Sequence, residues 1–368
     1  MTTPDQIDGA PHPRDTAQIF GQDTAQQTFL DAFATGRLHH AWLLTGPRGV
    51  GKATLAWQIA RFLLATPPLD EDGLFGAPPP PETLHIDPDH PVARRIAAGA
   101  EPGLKAITRT PNPNTDRMRD QIVVDDIRAL SGFFQLSATD GGRRVVIVDA
   151  ADDMNTSAAN ALLKMLEEPP ERATLLLISH QPSGLLPTIR SRCRTLRLGT
   201  LAPADMARAF DQAQVDVSGG AEALAELAGG SVGAAIRLAA LDGMITYGTL
   251  IRLIGSMPQF DRAAALKLAE SAAARGAETK RDLLFDLIDL ALSRLARTGA
   301  TGHPPAIEAA AQEAATLTRL APDQAAARAW AQIAQDTSAR ARHGIAVNLD
   351  PAALVLDTLI KMSQTARA

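Results

Sequence analysis

A single cysteine, Cys193, stands in 368 residues. With one thiol the chain can close no internal disulfide, which fits a reducing compartment. It also cannot build the four-thiolate site of a structural zinc module. Aromatic residues make up only 4% of the sequence, and alanine runs dense after residue 200. That composition favours helix, because alanine is the best helix former. Positive charge is not in excess: 36 Lys and Arg against 41 Asp and Glu leave a net charge of −5. Phosphate contacts need a basic surface, so an acidic chain is a poor autonomous binder of nucleic acid and would work on DNA inside an assembly. No apolar run approaches the roughly 18 residues of a membrane helix. The polar start MTTPDQIDGAPHPRDT has no apolar signal core. The expected location is the cytoplasm, with no membrane partner.

What is present reads as several domains. Hydrophobic residues form 45% of the chain, normal for a globular protein, and the length allows two or three domains. Residues 1–17 read as a flexible leader, and a helical pattern runs from Asp23 to Ala34. The apolar run HHAWLLTG, ending at Gly46, reads as a buried strand, and GPRGVGKATLAWQIARFLLA as a loop and amphipathic helix stopped by Pro67 and Pro68. Residues 66–120 read as an insertion, with a stiff run Ala77-Pro78-Pro79-Pro80-Pro81 and a short helix near Pro91 to Ala98. QIVVDDIRALSGFFQLSA predicts a short strand and then a helix. RRVVIVDA is a second buried strand, and NTSAANALLKMLEE a helix capped by Asn155 or Thr156 and stopped by Pro169-Pro170. ATLLLIS and RCRTLRL follow as strands. This alternation predicts a mainly parallel sheet with helices on both faces. After Leu201 only helical patterns remain, short to about residue 241 and longer from Asp242.

Gly46-Pro47-Arg48-Gly49-Val50-Gly51-Lys52-Ala53 fits the pattern G-x4-G-K. Backbone N–H groups of such a loop, opening a helix, cradle phosphates, and its lysine reaches the outer ones. Two readings stand: a nucleotide site, or a glycine-rich strand-to-helix turn without a ligand. The residue after Lys52 is Ala53, where Ser or Thr supplies a hydroxyl to Mg²⁺. Thr54 comes one residue late, rotated about 100° on a helix. Asp149 ends an apolar strand in the manner of a metal-linked acid, and Ala150 follows it, where a water-orienting acid would stand. Alanine cannot accept a proton. Asp152 and Asp153 lie on the next turn, with cap or surface roles as the simpler reading.

GRLHHAWLLTGPRGVGKATLA, ANALLKMLEEPP and LLPTIRSRCRTLRL together resemble the clamp-loader branch of the AAA+ proteins, over roughly residues 17–240. The resemblance implies an α/β AAA+ P-loop domain with a parallel sheet at 18–200, a small helical lid domain at 201–241 and an all-α oligomerisation collar at 242–368. It implies ATP or ADP as the ligand of a degenerate site formed by Gly46, Gly49, Gly51, Lys52, Thr54 and Asp149, with His180 as a candidate phosphate sensor or, equally, a hydrogen-bonded strand-end histidine. It also implies that Arg192, in Ser191-Arg192-Cys193, reaches into a neighbour's ATP site as an arginine finger. The ATP-hydrolysing gamma/tau motor subunits carry Thr or Ser after the loop lysine, Glu after the strand acid and Arg in the lid motif. Here Ala53, Ala150 and, in Gly230-Ser231-Val232-Gly233, Gly233 replace them. The implied role is that of a non-hydrolysing subunit, working with gamma/tau and delta subunits to place a sliding clamp on primed DNA. The competing readings are a self-sufficient motor subunit and a generic P-loop protein unconnected with replication. Nothing in the chain resembles a polymerase active site. Many relatives carry a zinc module where residues 66–120 lie. No cysteine stands there, and His85, Asp87, Asp89 and His90 read as a solvated polar loop, so no metal is expected.

Overall fold

The computed structural model describes residues 5–7, 9–36, 38–66, 79–135, 142–215, 217 and 220–367. Contacts divide the chain into two compact units, Met1–Val215 with Gly230–Ile236, and Asp216–Gly229 with Arg237–Ala368. The division falls inside 201–241 and not at its ends.

The first unit is built on a parallel sheet of five strands: β1 (Ala41–Thr45), β2 (Leu104–Ile107), β3 (Arg144–Val148), β4 (Ala173–Ser179) and β5 (Arg194–Arg197). Their order is β2-β3-β4-β1-β5. The strands β1 and β4 are buried along their whole length, which is why they read as continuous apolar runs and not as alternations. Helices α1 (Asp23–Ala34), α2 (Lys52–Ala65), α3 (Pro91–Ala97), α4 (Val124–Gln135), α5 (Thr156–Glu167), α6 (Pro187–Ser191) and α7 (Pro203–Ala213) connect and follow them. Alternate strand residues face opposite sides. Leu43, Val146, Val148, Leu175 and Leu177 meet Ile127 and Leu130 of α4 and Ala158 and Leu162 of α5 in one core. Trp42 packs on Phe29 of α1, ring centroids 5.0 Å apart, and Phe33 of α1 on Phe62 of α2 at 4.8 Å. Asn155 caps α5, its side chain accepting the N–H of Ala158 at 2.8 Å.

Thr45 at the end of β1 pairs in register with Ser179 at the end of β4 and with Arg197 of β5. The carboxyl ends of these strands therefore lie side by side where the strand order reverses, the place where ligands bind to open α/β sheets.

Three expectations need correction. The insertion 66–120 contributes β2, because Leu104–Ile107 pairs with Leu104 opposite Val145 and Ile107 opposite Val148. Only Ile107 of that edge strand is buried, so no apolar run marked it. QIVV forms no strand: Ile122 makes one isolated bridge to Met154, and Val124 already opens α4. The expected leader is held down at its end, where Pro13–Asp15 form a 3₁₀ turn and His12 is buried. Pro67–Pro78, and the expected end of the α4 helix at residues 136–138, lie outside the described residues.

The second unit is helical: α8 (Ala221–Leu227), part of α9 (Val232–Ala240), α10 (Gly243–Gly255), α11 (Arg262–Ala273), α12 (Glu278–Thr301), α13 (Glu313–Leu320), α14 (Gln324–Ala346) and α15 (Pro351–Thr365). Its centre holds a buried polar cluster. The Glu313 carboxylate accepts from Tyr247 Oη at 2.5 Å, Arg294 Nη1 at 2.8 Å and Ala309 N at 2.7 Å. Arg294 also pairs with Glu226 at 3.2 Å. Among the described residues no single helix is long and apolar enough to cross a membrane.

Candidate nucleotide site

The turn Gly46–Gly51 leaves β1 and delivers Lys52 to the first position of α2, the strand–loop–helix context that the motif requires. Buried Gln22 ties the turn to β5: its Nε2 donates to Val50 O at 3.2 Å and Gly199 O at 2.8 Å, and its Oε1 accepts from Gly199 N at 3.2 Å. Gly49, at φ +74°, is obligatory in two ways. L side chains avoid that conformation, and a Cβ there would fall 2.4 Å from Ser231 Oγ. Ser231 donates its hydroxyl to Arg48 O at 2.8 Å, and Gly233 N donates to Gly49 O at 3.0 Å. The GSVG turn thus lies directly on the phosphate loop, and its close approach to Gly49 leaves no room for a side chain at position 233.

Lys52 is buried, and its ammonium donates to the loop's own carbonyls, Gly46 O at 2.7 Å and Pro47 O at 2.5 Å. Burial lowers its pKa to about 8, while Asp149 and Asp152 act in the opposite direction. Asp149 follows β3. Burial pushes its carboxyl up to about 7, Asp5 pushes the same way, and Lys52 opposes. His180 follows β4. Burial, helped by the cations of Lys52 and Arg48, pulls its imidazole down to about 4, so the ring is neutral at pH 7. Its Nδ1 is buried without a hydrogen-bond partner among the described residues.

The structure therefore gathers Gly46, Gly49, Gly51 and Lys52 in one turn and brings Asp149 and His180 each within electrostatic range of Lys52. Thr54 sits on the first turn of α2 beyond Ala53. Sequence reasoning underrated Asp152. It accepts from Ser179 Oγ at 2.7 Å and from the His180 N–H, locking the end of β4 and the angle at which His180 leaves it. Asp153 pairs instead with Arg109 at 3.5 Å. No motif signals these partners, which come from different strands. Gln22 was equally silent.

The donor set does not fit Mg²⁺. Ala53 and Ala150 present methyl groups where the loop hydroxyl and the second acid would stand, and Asp149 is held towards its neutral form. The polar loop at 85–90 has a local role: His90 caps α3, Nδ1 accepting Val92 N–H at 3.2 Å, and Asp89 pairs with Arg94 at 2.7 Å. Among the described residues no cluster of three His, Cys, Asp or Glu is placed to hold a metal ion.

Arg192 lies outside this turn, at the C-terminal end of α6. Its side chain is 36% exposed, bonded to Glu167 Oε1 at 2.8 Å and to Thr188 O at 3.1 Å. Cys193 packs against the sheet core, and burial pushes its thiol up to about 12, so it is no nucleophile.

A parallel sheet of this order, with the G-x4-G-K loop between β1 and α2, defines an α/β fold of the P-loop type. The family described as "DNA polymerase III, delta subunit" matches residues 21–202. DNA polymerase III subunit delta' of Pseudomonas aeruginosa is 42% identical over 154 residues, covering 42% of this chain and 41% of that protein. Subunit delta' of Escherichia coli K12 is 31% identical over 235 residues, 62% of this chain and 64% of that protein. Subunit gamma/tau of Mycobacterium tuberculosis H37Rv is 29% identical over 256 residues, 66% of this chain and 40% of that protein. The match spans about two fifths of the length of the Pseudomonas and Yersinia delta' relatives. Over residues 21–202 the chain is similar to DNA polymerase III delta' subunits.

Proposed function

We propose that the chain is a stator-type clamp-loader subunit. It stands beside gamma/tau and delta subunits in a cytoplasmic ring that loads a sliding clamp onto primed DNA, and it presents Arg192 to a neighbour's ATP. The observation that carries this reading is an asymmetry. The chain's own site lacks the metal-binding hydroxyl and the water-orienting acid, yet the partly exposed Arg192 side chain stands at the end of α6, held among the described residues by Glu167 and the Thr188 carbonyl. Hydrolysis needs positive charge against the oxygens of the transferring γ-phosphoryl group, and a planar guanidinium supplies it while excluding water. A surface ion pair such as Arg192–Glu167 is worth roughly 0–1 kcal/mol. Glu167 can therefore hold the side chain before assembly and release it on docking at little cost. The chain itself makes no phosphodiester bond in this reading.

The test uses reconstituted complexes with wild-type, Arg192→Ala or Arg192→Lys chains, assembly being checked by gel filtration. The alanine complex should assemble, with reduced DNA-stimulated ATPase and slower clamp loading. A finger is worth roughly 10³–10⁵ in rate at the site it serves, but other sites in the ring continue to turn over, so total hydrolysis falls without vanishing. Lysine should recover little, since an ammonium lacks the planar fork. If the alanine complex assembles and both rates match wild type, Arg192 is not a finger.

A further inference from the structure

Ile7 approaches the phosphate loop. Gly233 is held between the two: a Cβ on it would fall 2.4 Å from Ile7 Cδ1 on one side and 2.8 Å from Gly49 Cα on the other. The Asp5 carboxylate pairs with His12 Nε2 at 3.1 Å, and both side chains are more than nine-tenths buried, 6% and 7% exposed. Asp5 is close enough to Asp149 to be the strongest influence on that carboxyl after burial itself. The segment is anchored on α2. The His12 ring stands edge-on to Trp57 at 5.7 Å, and Arg61 donates to Arg14 O at 3.3 Å and Thr16 O at 2.7 Å. Ala10 N donates to Ile7 O at 3.0 Å and Gln6 Nε2 to Ala10 O at 2.8 Å, which closes a turn. Further along, Ile19 packs on Gly51.

We propose that residues 5–7 and 9–16 form a built-in plug that keeps nucleoside di- and triphosphates out of the phosphate loop, Ile7 filling the space beside Gly49 and Gly233 and the Asp5 carboxylate repelling the incoming phosphates. An entering polyphosphate would meet Asp5 beside Asp149, while the Lys52 ammonium is spent on the carbonyls of Gly46 and Pro47. Nucleotide binds only in the fraction of molecules whose segment has left, so the apparent affinity falls by that fraction. The inference goes beyond the arginine-finger reading and is independent of it. It concerns the chain's own site, and its test uses the isolated chain.

Binding of N-methylanthraniloyl-ADP is titrated by fluorescence, with and without Mg²⁺, to the full-length wild type, to Asp5→Ala/Ile7→Gly, and to that double variant with Lys52→Ala added. The double variant should bind at least about tenfold more tightly than wild type, and Lys52→Ala should remove the gain. Equal binding by wild type and double variant, whether tight or absent, overturns the plug. A gain that survives Lys52→Ala also overturns it, because the nucleotide would then sit elsewhere. Circular dichroism checks folding. If the double variant does not fold, Ile7→Ala alone and amide exchange on wild type decide the matter. Millimolar ADP should speed exchange at Ala10 and Arg14. ADP that protects Gly49 and Gly51 while leaving those amides unchanged refutes the proposal.

Discussion

Asp149 and His180 bring opposite pH dependences into one site. The Asp149 carboxyl has a folded pKa of about 7 against an ordinary 3.8. Between about pH 4 and 7 the folded chain holds a proton that the unfolded chain has released, so stability falls as pH rises through that window. His180 has a folded pKa of about 4 against 6.5. Between those values the unfolded chain is protonated and the folded one is not, so stability falls as pH drops through the window. The two slopes oppose each other in the wild type. Asp149→Asn should raise stability at pH 8 by about 1–3 kcal/mol, a gain that shrinks towards zero near pH 4. His180→Gln should lessen the loss of stability between pH 6.5 and 4. Urea unfolding across pH 4–8 reads both, and profiles of both variants parallel to wild type would contradict the account. The losses at Ala53, Ala150 and Gly233 were legible in the sequence, because each is a missing side chain at a motif position. The lock of Asp152 on Ser179 was not, because it joins the turn after β3 to the end of β4, 27 positions on.

At the scale of elements, β1, β3 and β4 were plain in the sequence. A strand buried on both faces reads as a near-continuous apolar run. The edge strand β2 was not plain, since three of its four residues are incompletely buried and its identity comes from pairing with β3. Helix composition concealed the centre of the second unit in the same way. Arg294 of α12 and Glu313 of α13 look like surface charges on amphipathic helices, yet their side chains are 8% and 0% exposed. Removing one member of a buried pair leaves the other charge desolvated and unpaired. Arg294→Ala should therefore cost about 3–5 kcal/mol. Arg294→Ala/Glu313→Ala should cost less than the sum of the two single changes. Denaturant unfolding measures this, and a cost under about 1 kcal/mol for Arg294→Ala would show that the cluster holds little.

At the scale of the whole molecule, the purified chain should hydrolyse ATP no faster than background with Mg²⁺ present. Both the metal-binding hydroxyl and the water-orienting acid are methyl groups at the positions where a motor needs them. Robust Mg²⁺-dependent turnover would favour the motor reading. The same chain, at a net charge of −5, should bind DNA weakly at physiological salt. An anisotropy titration showing tight, salt-sensitive binding would contradict that.

By itself the sequence marked the buried strands β1, β3 and β4, most of the helices, the phosphate loop, and the motif positions held by Ala53, Ala150 and Gly233. Buried strands, glycine turns and missing side chains are local properties, written in consecutive residues. Only the tertiary structure decided what lies against that loop. Ile7 and Asp5 read as part of a polar leader, and Ser231 as part of a short helix start. Their meeting with Gly49 and Asp149 depends on chain segments more than 40 and 140 positions away folding onto the carboxyl end of one sheet. No local pattern encodes such a contact, because its free energy comes from burial and charge between segments that are neighbours only in space.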